Sequence, residues 1–151
     1  MPDIRSLFAD YASYHRTKGN KFFHRLGIPT IVLTLFGMLA RVPIFDIGSF
    51  RVDAAVVLIV LSAMYYLALE WRLGIAMLGV SIIFYIAGAA LPMAVNVALF
   101  VLGWIFQFVG HSVYEKKSPA FLRNMTHLLI GPLWILNDVL PVIKSSTRAP
   151  I

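Results

Sequence analysis

Charged residues cut this chain into long apolar runs. From Leu73 to Tyr114 there are 42 consecutive residues without Asp, Glu, Lys or Arg, which as one helix would rise ~63 Å, about twice the hydrocarbon thickness of a bilayer. The run therefore holds two helices. The break falls at Leu91-Pro92-Met93-Ala94-Val95-Asn96, because proline disfavours helical geometry in its predecessor and Asn suits the headgroup level. This predicts spans over about 74–91 and 94–113.

Ahead of them, Ala54 to Leu69 is an uncharged run of 16 residues, bounded by Asp53 and by Glu70-Trp71-Arg72, where a Trp between charges resembles an interfacial anchor. Leu26 to Ala40 is uncharged for 15 residues and makes a first span if Lys21-Phe22-Phe23-His24 extends it and Lys21 snorkels. Asn124 to Asn137 holds 14 uncharged residues with Gly131-Pro132 inside, which predicts a short, tilted or re-entrant helix. The longest connection between spans is the loop from Arg41 to Asp53, with Pro43 and Gly48. Barrel strands would alternate in polarity and these runs do not. The expected fold is all-α, a polytopic transmembrane helical bundle of about four spans plus the short C-terminal helix or re-entrant segment. With no linker and no repeat, residues 1–151 read as a single integral membrane domain.

Composition agrees. Hydrophobic residues make up 60% of the chain and charged ones 13%, against about 25% charged in a soluble domain, which excludes a soluble globular enzyme. The absence of cysteine excludes disulfides, thiolate catalysis and iron-sulfur clusters, and leaves any metal to His, Asp, Glu, Asn or backbone oxygen. The net charge of +6 comes from short basic flanks to apolar runs, which fits an anionic leaflet and argues against nucleic acid as a partner. Residues 1–25 are polar and mixed in charge and do not read as a signal peptide. Arg16, Lys18, Lys21 and Arg25 precede the first span, and Lys116, Lys117 and Arg123 follow the fourth. Four crossings put both groups on one side, the cytoplasmic side by the positive-inside rule.

All four histidines belong to that side. His15 and His24 precede or open the first span, His111 ends the fourth, and His127 opens the last apolar segment. Imidazoles tolerate interfaces as amphipathic rings, but four at one level also match the commonest metal ligand. In one straight helix His15 and His24 would lie on opposite faces and ~13 Å apart along the axis. A shared ion thus needs a break, for which Gly19-Asn20 is the candidate, with Asn20 capping a helix from Lys21. Glu115 lies four residues after His111 on the same helical face, placed to ligate, to orient His111, to accept a proton, or simply to pair with a nearby Lys or Arg. The helix should stop at Ser118-Pro119. Neutral imidazoles would leave a divalent ion its full charge, favouring an anionic oxygen chelator as substrate; Fe(II) and Zn(II) suit such ligands better than Mg(II) or Ca(II).

The pattern Tyr11-x3-His15-x4-Asn20-x3-His24-x2-Gly27-x-Pro29, then Trp104-x2-Gln107-x2-Gly110-His111-x3-Glu115-x3-Pro119-Ala120 and Leu128-Leu129-x-Gly131-Pro132, resembles the Mpo1-like family. The resemblance covers most of the chain and rests on the two His-bearing blocks. It implies an Fe(II)-dependent dioxygenase of fatty-acid α-oxidation that uses O₂ to convert a long-chain 2-hydroxy fatty acid to the acid one carbon shorter. It implies iron ligation by His15, His24 and His111, with His127 a fourth ligand or a group just behind them. Glu115 becomes the candidate proton acceptor and Asn20 a hydrogen-bonding residue beside the ligands. Arg16, Lys21, Arg25 or Arg123 would hold the carboxylate or else serve lipid headgroups, and the acidic position near the end of the last helix is Asn137-Asp138. The enzyme would sit in the lipid bilayer of the inner membrane of a bacterium or the endoplasmic reticulum of a eukaryote, with its histidines on the cytoplasmic side. Three other readings compete: a small transporter, which asks for polar groups at mid-span where the third and fourth spans offer only Ser81, with Asn96 near their hairpin; a non-catalytic assembly protein with structural histidines; and bis-histidine haem binding.

Overall fold

The computed structural model describes residues 3–116 and 125–143. Lys117, Ser118-Pro119, Ala120, Arg123 and Asn124 of the sequence reading lie outside them. Six α-helices and one β-hairpin follow in the order α1 (Ile4–Ser13), α2 (Lys18–Leu39), β1 (Pro43–Ile47), β2 (Phe50–Asp53), α3 (Ala54–Leu69), α4 (Trp71–Ala90), α5 (Met93–Val109) and α6 (Thr126–Val139). α5 continues without a break into a π-helical turn, Gly110–Glu115.

Among the described residues, three helices are long and apolar enough to cross a membrane: α2, α4, and α5 with its π turn. α3, equally apolar, is shorter at 16 residues and turns directly into α4 at Glu70, whose carboxylate accepts from the Leu73 N–H at 2.7 Å. The bundle faces its apolar side chains outward: Ile75, Ile83 and Ile86 on α4 are each more than half exposed, while Thr34, Ser81, Asn96 and Gln107 are buried. That arrangement suits lipid as solvent, where polar side chains must find partners inside the protein. Asn96, for example, donates to the Gly88 carbonyl at 2.9 Å.

Glycines let α2 sink between α4 and α5. A Cβ on Gly103 of α5 would stand 3.1 Å from the Gly27 carbonyl oxygen, and one on Gly88 of α4 would stand 2.9 Å from the Gly37 nitrogen, so backbones meet where side chains would hold them apart. Two differences from the sequence reading concern the ends of α2. It starts at Lys18, several residues before the uncharged run, because a basic side chain can reach the interface from inside a helix. The Arg41–Asp53 connection is not an irregular loop: it contains the antiparallel β1–β2 pair, with Gly48 at φ 60° making the turn. Only Asp46 between Phe45 and Ile47 and Arg51 between Phe50 and Val52 alternate with apolar neighbours, and the two strands are too short to announce themselves. Arg41 ties this end together, donating to the Gly37 carbonyl and, at 2.5 Å, to the Leu91 carbonyl.

The opposite end is closed by α1 and α6. Ile4, Phe8 and Tyr11 recur at i, i+4 and i+7 and bury against Ile130 and Leu133 of α6, Tyr66 of α3, and Leu73 and Met77 of α4, the stripe of an amphipathic helix docking on its neighbours. α6 is 14 residues long with Pro132 inside, about 21 Å, as its short apolar run predicts. The Tyr66 hydroxyl donates to the Leu129 carbonyl at 2.7 Å and pins α6 to α3.

Candidate metal centre

The chain reaches the site by breaking between α1 and α2. After Ser13 the Tyr14 and His15 N–H groups bond back to the Tyr11 and Ala12 carbonyls at 3.2 and 3.1 Å, and Thr17 caps α2 by accepting from the Asn20 N–H at 3.3 Å. The break thus precedes Gly19-Asn20 by a turn. Asn20 does not cap a helix from Lys21; it is the third residue of α2 and fully buried. The physical reason is that Thr17 supplies the oxygen that the first N–H groups of a helix require. Asn20 is inside, where its Nδ2 donates to the Tyr14 carbonyl at 3.3 Å.

With this break, His15 in the turn, His24 in the second turn of α2 and His111 in the π turn converge. Each offers a ring nitrogen, and the three nitrogens lie within 4.8 Å of one another. All three residues are 2% exposed. His24 Nε2 and His111 Nε2 are 3.1 Å apart. The ring of His15 stands 4.4 Å from that of His24 and 5.0 Å from that of His111. π turns inside α-helices recur at functional sites because the extra residue re-aims a side chain, and Gly110 opens this one. A Cβ there would sit 2.6 Å from Asn20 Oδ1 and 3.1 Å from His24 Nδ1.

The far side of each N-terminal ring is fixed. His15 Nδ1 donates to the Tyr11 carbonyl at 2.6 Å and His24 Nδ1 donates to the Asn20 carbonyl at 3.0 Å, each bond reaching back four residues. A proton held on Nδ1 leaves Nε2 with a lone pair aimed at the cluster, the arrangement by which proteins set a ligand histidine's tautomer. Burial pulls the His15 imidazole down to about 4, more than its bond to the Tyr11 carbonyl and the nearby Glu115 charge restore, so the ring is neutral at pH 7. It stacks on Tyr11, centroids 4.1 Å apart, whose phenol burial pushes well above its ordinary value.

The donor set fits a borderline divalent cation. Ligand nitrogens about 2.1 Å from one ion stand about 3 Å apart when at right angles, close to the His24–His111 separation. His15 Nε2 is buried with no hydrogen-bond partner among the described residues, a state that usually signals a missing ligand, ion or water. Three neighbours share it: Gln107 Nε2, His111 Nδ1 and His127 Nδ1 are also buried and unpartnered among the described residues, and their residues line the same cavity of about 70 Å³ as His15 and His24.

The remaining site residues of the sequence reading fall into different settings. His127 stands outside the three-histidine group. Its Nε2 meets Asp10 Oδ2 at 2.7 Å, and its ring lies 5.6 Å from Tyr11. Glu115 accepts from the N–H groups of Arg16 and, at 2.8 Å, of Thr17, so its carboxylate holds the turn that carries His15 against the start of α2. Arg25 is paired with Asp138 on the surface. Asn137 clasps the chain beyond α6, its amide exchanging hydrogen bonds of 3.0 and 2.8 Å with the backbone of Ile143. Asp10 was missed, and Gln107, though part of the pattern that carries the resemblance, was given no role. An amide in an apolar helix near its end is the signal that would have marked Gln107; nothing in the sequence joins Asp10 to a histidine 117 residues later.

Two comparisons with known proteins bear on this site. The family model described as 2-hydroxy-palmitic acid dioxygenase Mpo1-like matches residues 1–142. The chain is 32% identical over 139 residues, 91% of its own length and 80% of the relative's, to the 2-hydroxy-palmitic acid dioxygenase MPO1 of Saccharomyces cerevisiae. No solved structure matches it.

Proposed function

Because the chain belongs to the Mpo1-like family, we propose that it is a membrane-embedded dioxygenase that takes a long-chain 2-hydroxy fatty acid and O₂ to the fatty acid one carbon shorter, at an Fe(II) held by His15, His24 and His111. The single observation that carries this reading is the convergence of three buried imidazole nitrogens within 4.8 Å. The compact cluster, with Nε2 atoms 3.1 Å apart on His24 and His111, favours a bare ion over a haem, which takes one ligand on each side of a wide ring.

When bound, Fe(II) would supply Lewis acidity toward the 2-hydroxyl and the redox capacity to engage O₂. The protein's own residues do the rest. The Tyr11 and Asn20 carbonyls hold the rings of His15 and His24 in one tautomer. Gln107, buried on the cavity wall with an unpartnered amide nitrogen, donates to the carboxylate of the acid, a task for which Arg25, occupied by Asp138, is poorly placed, while His127, whose Nε2–H is given to Asp10, offers Nδ1 as an acceptor to the 2-hydroxyl. Asp10, whose side chain is about half exposed at 53%, orients His127 and connects it to water. Glu115 is a positioning residue through its grip on the Arg16 and Thr17 N–H groups. Ile28, Ile31 and Val32 are among the apolar walls of the cavity and exclude water. Residues 1–151 form one such domain, with the histidine end toward the cytoplasm where the basic flanks lie.

The test is anaerobic purification in detergent, metal analysis, and then addition of Fe(II), O₂ and a long-chain 2-hydroxy acid, with products followed by mass spectrometry. Loss of one carbon is the expected result. An iron-loaded, folded protein that gives no shortened acid would defeat the proposal.

A further inference from the structure

The histidine cavity has a neighbour. A second cavity of about 160 Å³ lies between α2, α4 and α6 and shares the walls Ile28, Val32 and Pro132 with the first. Its other walls include Met77, Val80 and Phe84 of α4 and the α6 residues after Pro132, and no polar side chain lines it.

The geometry of the two cavities gives a direction. His24, Ile28 and Val32 follow one another at i, i+4 and i+8 on one face of α2, so the shared wall begins one turn after a histidine of the cluster. Met77, Val80 and Phe84, at i, i+3 and i+7, make one face of α4, and from the first to the last is ~10 Å of helix rise. Met77 belongs to the buried cluster of α1 and α6 at the histidine end. Phe84 packs with the cluster around Phe36, Ala55 and Ile59 at the other end of α3. The apolar space therefore starts at the imidazoles and runs toward the middle of the bundle. An occupant must be apolar along its length and polar only at the histidine end. Water would find no hydrogen-bond partner there.

We propose that this second cavity holds the acyl chain of the 2-hydroxy acid, entering past Ile28, Val32 and Pro132, and that Val80 and Phe84 set the chain length accepted. The inference rests on the functional reading above, and it names residues that the reading does not use.

Two measurements test it. A long-chain 2-hydroxy acid carrying a photoreactive diazirine at its methyl end should label Val80, Phe84, Ile135 or Leu136, mapped by mass spectrometry of the irradiated wild-type protein in detergent. Label confined to α5 or to lipid-facing residues would overturn the proposal. Label in the cavity without turnover of the unmodified acid would uphold this binding site while the dioxygenase reading failed. Turnover with label elsewhere would do the reverse. In the second measurement, Val80→Trp should fill the cavity and lower kcat/KM for the long-chain acid by about tenfold or more, mainly through KM, while a short-chain 2-hydroxy acid is turned over as by the wild type. Equal effects on both acids, or none on either, would count against it. Phe84→Ala, which enlarges the deep end, should move the preference toward longer chains; an unchanged preference in that variant would also count against it.

Discussion

His24 and His111 are 87 residues apart in the chain and face each other through their Nε2 atoms at 3.1 Å. The His24 Nδ1–H donates to the Asn20 carbonyl, so its Nε2 presents a lone pair; His111, whose Nδ1 has no partner among the described residues, either donates to that lone pair or joins it and the unpartnered Nε2 of His15 in holding one positive ion.

Single substitution of His15, His24 or His111 by Ala should each abolish stoichiometric iron while the protein still inserts and purifies. His127→Ala should keep the iron and raise KM for the 2-hydroxy acid. Metal analysis beside detergent gel filtration separates these outcomes, and retention of full metal in all three cluster variants would remove the assignment.

Glu115→Ala should loosen the turn that carries His15, since hydrogen bonds from two backbone N–H groups to a carboxylate are lost. An effect of about tenfold or more on iron affinity is expected from losing such support. Glu115→Gln, which keeps an acceptor oxygen, should recover most of it. If Glu115 were instead the proton acceptor, Gln would retain iron and lose turnover, so the split between affinity and kcat decides its role.

Acid should weaken the metal-free protein in a defined window. The His15 pKa is about 4 in the fold and about 6.5 when unfolded. Between these values the unfolded chain binds the extra proton, so stability is full above about pH 6.5 and declines as pH falls toward 4, by about 3 kcal/mol for this residue. Below pH 4 His15 is protonated in both states and its own contribution to the decline ends. Denaturant unfolding of the apo protein across that range measures it, and a His15→Ala variant should show a shallower slope.

Gly110→Ala should disturb the site without disturbing the bundle. The new methyl would meet Asn20 Oδ1 at 2.6 Å and crowd His24, and overpacking of this kind costs about 1–3 kcal/mol. Weaker iron binding with an unchanged helical circular dichroism spectrum is the expected result.

Local hydrophobicity determines where a helix enters lipid, so the uncharged runs of the sequence announced α3, α4, α5 and the Pro92 break directly, and composition ruled out a soluble fold. The four histidines, too, stood out as candidates, because a polar ring beside an apolar run needs a reason. Which of them meet was a different kind of question. It depends on Thr17 rather than Asn20 capping α2, on a π turn re-aiming His111, and on glycines that bring α2 and α5 close enough for the rings to converge. Those are distances between residues far apart in the chain, and no periodicity records them. For the same reason the partnership of Asp10 with His127, the hydrogen bonds of Glu115 to the Arg16 and Thr17 backbone, and the apolar space beyond Ile28 were decided only when the helices packed.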